Sequence, residues 1–125
     1  MPVVKRSRHS FAETVSQLQS TIQSTGNTIF ATIDQSAAAS GAGLTLRPTT
    51  LIVFGNPKGG TLLMQSAPLV ALDLPLKLLV WDENGLVSVA YTPASELAAR
   101  YELAGREQLI ASMDHALAVL ASSVE

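Results

Sequence analysis

No cysteine occurs among the 125 residues. Disulfides, thiolate nucleophiles and cysteine-ligated metals are thereby excluded, and the redox compartment is left unmarked. Charge is also scarce, at 14% of residues against about 25% in ordinary globular chains. Interface cores are depleted in charge, so the deficit suggests surface covered by a second copy of the chain. Only eight residues are Lys or Arg and the formal net charge is −2. That is a poor base for nucleic-acid binding, which depends on neutralising phosphates. Lys5, Arg6 and Arg8 with His9 are the one basic cluster, read as a solvated edge. His9 and His115 are the only histidines. Asp114 and His115 are neighbours on a helical stretch and point about 100° apart, a poor chelate. No metal site or cofactor is expected. No apolar run approaches the roughly 18 residues a transmembrane helix needs. The opening MPVVKRSRHS has basic residues with no apolar stretch behind them, unlike a signal peptide. The expectation is a cytoplasmic protein with no membrane or nucleic-acid partner.

What is present is apolar: 47% of the residues are hydrophobic. A chain of this size forms one domain, here spanning 1–125, and buries roughly 65–70% of its unfolded surface. Val3–Arg8 reads as a short strand. Ser10 and Glu13 form a capping box, and Phe11, Val15, Leu18 and Ile22 recur on one helical face until Gly26 ends the helix. Thr28–Asp34 alternates as a strand, with Ile29, Ala31 and Ile33 on one side. An alanine-rich segment broken by Gly41 and Gly43 follows. The run TTLIVFG from Thr49 is apolar on both faces, as an inner strand covered on both sides would be.

Gly55-Asn56-Pro57-Lys58-Gly59-Gly60 has the chemistry of a loop. Thr61–Ala67 suits one or two helical turns ended by Pro68. Leu76–Trp81 and Leu86–Thr92 flank Asn84-Gly85, the strongest short-range hairpin signal. Trp81 and Tyr91 are expected as cross-strand neighbours. Thr92-Pro93 reads as cap and first turn of a helix over Ser95–Leu103. Arg106–Ser122 is the last helix, burying Leu109, Met113, Ala116, Leu117 and Leu120.

The blocks LRPTTLIVFGNPKGGTLLMQSAP and ALDLPLKLLVWDENGLVSVAY carry a resemblance. Phe54-Gly55-Asn56-Pro57, the run Gly60–Met64, and Leu72-Asp73-Leu74-Pro75-Leu76 before a strand stand in order over about residues 10–95. In these the chain resembles the domain-of-unknown-function family numbered 302. The resemblance implies an α+β domain like the TATA-binding-protein fold, in which an antiparallel sheet carries helices on one face, and common homodimers. It implies no established activity. The residues themselves suggest about five mainly antiparallel strands and two long helices on one face, in the order β-α-β4-α. An apolar sheet face left bare would be a dimerisation surface.

GNPKGGT is not a phosphate loop: Thr61 stands where the lysine belongs, and Pro57 lacks an N–H. A weaker anion site could use the N–H groups of Gly59, Gly60 and Thr61. Asp73 among leucines is either a backbone cap or a group whose pKa its surroundings shift. Asp34 caps the alanine segment or joins Asp73 as a pair of pocket acids. Two functions follow. One is a homodimeric, non-catalytic module binding a small ligand near Asn56, Gly59, Gly60, Thr61, Asp73 and Tyr91, with Met64 at the rim. The other is a small enzyme with Asp73 or Asp34 as general base, its pKa raised by an apolar pocket.

Overall fold

The computed structural model describes every residue from Met1 to Glu125. Five strands form one antiparallel sheet in the order β1-β5-β4-β3-β2: β1 Val3–Arg6, β2 Thr28–Asp34, β3 Thr49–Gly55, β4 Leu76–Glu83 and β5 Leu86–Tyr91. Five helices, α1 Phe11–Ser24, α2 Gln35–Gly41, α3 Pro57–Ser66, α4 Ala94–Tyr101 and α5 Glu107–Ser122, and a 3₁₀ segment Pro68–Leu72 complete it. The α+β class holds, with the two long helices α1 and α5 flanking the run of four strands β2–β5. Short helices α2 and α3 stand between those strands, and α4 precedes α5.

Local chemistry explains most elements. Ser10 caps α1 by accepting the Glu13 N–H. Glu13 turns toward His9 Nδ1, 3.6 Å away. Gly26 ends α1 with φ +84°, and the Gly26 and Asn27 N–H groups close on the Gln23 and Ile22 carbonyls. This is the paired closure of a Schellman cap, which needs a left-handed residue after the helix. Asn84 and Gly85 both have positive φ, +55° and +88°, as the type I′ hairpin between β4 and β5 requires. Asp82 Oδ1 accepts the Gly85 N–H at 2.8 Å.

One face of the sheet is covered. Ile52 and Phe54 of β3, Leu78 and Val80 of β4, and Val87 and Val89 of β5 pack with Leu18, Ile22, Leu117 and Leu120 of α1 and α5. Full burial of one such side chain stabilises the fold by about 1.5–3 kcal/mol. The innermost α1 residue after Leu18 and Ile22 is Thr14, whereas Phe11 and Val15 are half-buried. Thr14 is satisfied there: its hydroxyl lies 2.6 Å from that of buried Ser7, and it donates to the Ser10 carbonyl. A second core joins Leu63 of α3, Val70 of the 3₁₀ segment, Ala94 and Leu97 of α4, Leu103 between α4 and α5, and Ile110 of α5. Leu74 and Met113 pack against both cores.

Three expectations fail for identifiable reasons. In β2, Ile29 pairs with Phe54 but Ala31 with Val53, so a bulge at Phe30 shifts the alternation. Ile29 faces the helices, while Ala31 and Ile33 share the open face with Val53 and Leu51. A bulge inserts one unpaired residue and so reverses the phase that follows. Trp81 pairs with Ser88, and Tyr91 pairs with Val3 of β1, so Trp81 and Tyr91 are not neighbours and lie on opposite faces. Thr92 does not cap α4: Asp114 of α5 does, its Oδ1 accepting the Ala94 N–H at 2.5 Å and the Ser95 N–H at 3.4 Å.

Candidate functional site

The segment Gly55–Gly60 is not a loop. Asn56 is the N-cap of α3, Pro57 is its first residue, and Lys58, Gly59 and Gly60 complete the first turn. Pro fits the first helical position because its missing N–H would be unpaired there anyway. Asn56 Oδ1 accepts the Lys58 N–H at 3.0 Å, and the Asn56 carbonyl accepts that of Gly60 at 3.0 Å. The anion cradle expected from Gly59, Gly60 and Thr61 is therefore not formed, since the helix consumes the Gly60 donor.

A cleft of about 220 Å³ opens beside this turn. Its walls are Asn56, Gly60, Thr61 and Met64 of α3, Phe30 from the β2 bulge, Leu74-Pro75-Leu76 leading into β4, and Met113 of α5. It lies at the seam of the two cores, because Leu74 and Met113 belong to both. Of the expected ligand residues, Asn56, Gly60 and Thr61 are brought together here. No titratable side chain lines it. Small-ligand sites are typically apolar with a few placed polar groups. Phe30 and Met113 were not foreseen as lining. The bulge that presents Phe30 had no local signal, whereas Met113 stands on the apolar face of α5.

A second cleft, of about 400 Å³, lies on the other flank of the same turn and includes Gly59. The two share Asn56, Leu76 and Met113. Gly59 and Gly60 thus face different clefts.

Asp73 lies outside both clefts, against a small polar pocket with Lys77, Thr92 and Arg100. The Tyr101 hydroxyl donates to its carboxylate, as does Arg100 Nη1 at 2.8 Å. Those bonds, Tyr101 first and Arg100 second, hold the Asp73 carboxyl below its ordinary value. The expected rise from an apolar pocket is absent because the carboxylate is met by donors instead of hydrocarbon. The Tyr101 phenol is pushed up by the same contact. Lys77 Nζ donates to the Asp73 and Pro75 carbonyls at 3.2 and 3.1 Å, tying down the Leu74–Leu76 wall.

Asp34 caps α2. Its Oδ1 accepts the Ala37 N–H at 2.9 Å and the Ser36 hydroxyl at 2.7 Å, and these bonds lower its pKa too. Asp34 pairs with Thr50, whereas Asp73 precedes Leu76, the partner of Phe54. About 13 Å of strand separates those positions, so the two acids form no pair. Tyr91 is buried in the main core and lines neither cleft. Burial and, secondarily, the Asp114 charge raise its pKa.

Known proteins match this chain widely. The family model described as Domain of unknown function DUF302 covers residues 3–120, which takes in all but the last two residues of α5. A fluoride-specific ion channel, FluC 1, of Brucella suis biovar 1 is 42% identical over 102 residues, 81% of this chain and 40% of that protein. The FluC 1 of Brucella abortus biovar 1 is also 42% identical over 102 residues, 81% of this chain and 38% of that protein. The chain thus spans about two-fifths of the length of these relatives. A crystal structure of an uncharacterized conserved DUF302 protein from Bacillus stearothermophilus superposes with a TM-score of 0.89 at 18% identity, covering 99% of this chain and 98% of that one. At that identity the likeness speaks for the fold alone.

Proposed function

The chain belongs to the DUF302 family, and from that premise we propose that it is a homodimeric, non-catalytic module that binds a small apolar ligand in the cleft beside α3. The observation that carries this is the lining. Eleven residues from five parts of the chain enclose about 220 Å³ without one titratable group. Acid–base chemistry needs such a group within reach of its substrate. Asp34 and Asp73 are lowered in pKa and lie elsewhere.

The probe is 1-octanol, titrated into ¹⁵N-labelled protein. Amide shifts should concentrate at Gly60, Thr61, Met64, Leu76 and Met113. Shifts scattered over the surface, or none up to the solubility of the alcohol, refute cleft binding.

The dimer reading rests on the open sheet face. Leu51, Val53, Leu79 and Trp81 are half-buried there without a helix above them, and Ile33 is exposed. A second copy covering this face removes apolar area from water on both sides. Sedimentation should give twice the chain's 13.1 kDa, and Leu79→Glu should reduce it to one chain. A monomer at tens of micromolar wild-type protein overturns the dimer.

A second reading comes from the Brucella relatives. No helix of this chain is long and apolar enough to cross a membrane. On this reading their unmatched three-fifths holds the channel, and the matched part is an extramembrane module serving it. This chain would then act beside an ion channel. Co-expression with the unmatched portion of a Brucella relative, followed by affinity purification in detergent, tests it. A channel portion that elutes without this chain counts against the reading.

A further inference from the structure

The two clefts meet across the first turn of α3, at Asn56, Leu76 and Met113. They differ in character. The first is walled mainly by Phe30, Met64, Leu74, Pro75 and Leu76. The second carries Thr25, Asn27, Ser112 and Lys58 among its lining residues. Lys58 is the only charged side chain in either lining, and no carboxylate lines them.

Lys58 has no ion-pair partner in this structure. It also occupies an unfavourable place, the second position of α3, where the positive end of the helix dipole disfavours a cation. An anion bound there would give the lysine a partner. On the far wall, carbonyls of the last turn of α1 are already engaged. The Ile22 and Gln23 carbonyls accept from Asn27 and Gly26, and Asn27 Nδ2 donates to the Thr25 hydroxyl.

We propose that the two clefts form one site for a small amphiphile with a single anionic head, carboxylate or phosphate. Its tail lies in the first cleft and its head beside Lys58, Asn27 and Ser112. This rests on the ligand-binding reading above and names the ligand class.

Calorimetry on the full chain compares sodium octanoate with 1-octanol at fixed ionic strength, in wild type and Lys58→Gln. Octyl phosphate, run alongside, separates phosphate from carboxylate preference. Lys58 is exposed, so the variant should fold as wild type does. Wild type should bind octanoate or octyl phosphate about tenfold more tightly than octanol, the size of one charge-assisted hydrogen bond. Lys58→Gln should erase that preference and leave octanol binding unchanged. Equal affinities in wild type, or a preference that survives Lys58→Gln, overturn the anionic head while the apolar cleft stands. No binding of any of the three overturns both.

Discussion

Gly60→Ala is expected to stabilise the protein while weakening ligand binding. Gly60 is the fourth residue of α3, with its N–H on the Asn56 carbonyl, a bond alanine keeps. A methyl group at Gly60 would meet only the Met64 Cε, at 4.0 Å, which is ordinary contact. Its backbone has no left-handed φ. Glycine inside a helix costs about 0.8–1.0 kcal/mol relative to alanine. The gain should therefore be about 0.5–1 kcal/mol, or a rise in Tm of about 4 °C for a domain of this size. Urea denaturation followed by circular dichroism measures it. The added methyl projects where Gly60 lines the cleft, so octanol affinity should fall in the same variant. Gly59→Ala is the companion, with its methyl 3.4 Å from Leu109 Cδ1. Leu109 must give slightly, so a smaller gain is expected. If Gly60→Ala lowers stability, the glycine serves the backbone and not the cleft, and the reasoning is refuted. A gain in stability with unchanged octanol affinity would place the ligand elsewhere.

Two further outcomes follow from the carboxylates. Asp73 has a folded pKa below its ordinary 3.8, so its contribution is complete above that value and is lost as pH falls through the lower folded one. Asp73→Asn should lower the urea midpoint at pH 7, with the gap from wild type narrowing below about pH 4; a gap independent of pH would show that the charge is not what matters. Asp114→Ala should cost about 1 kcal/mol, as loss of an N-cap does, with faster hydrogen exchange at Ala94 and Ser95. Thr92→Ala should cost little, and the reverse ranking would return the cap to Thr92.

Much of the fold was legible because its signals are local. The Ser10 cap, the Gly26 stop and the Asn84-Gly85 turn act through groups three to five residues apart, and each forms as its chemistry dictates. The helix start at Asn56-Pro57 was legible too, since asparagine as cap and proline at the first position are a helix signature. Two glycines after a proline are also turn chemistry, however, and local propensity alone does not choose between helix and turn. The β2 bulge had no such signal. It is seen only in the pairing of β2 with β3, and it sends Phe30 to the cleft. Asp114 lies twenty residues from the helix it caps, beyond any window of local pattern.

By itself, then, the sequence determined the strands, most helices, and the poverty of catalytic groups, because periodicity, caps and composition are properties of the chain alone. Only the tertiary structure decided which polar groups are spent and which are free. It tied Asp73 to Tyr101 and Arg100, left Lys58 unpaired, and brought Phe30, Asn56, Leu74 and Met113 around one cleft. Those four residues are far apart in the chain. They meet because two cores, each buried to keep its own apolar surface from water, join along a seam that neither fills.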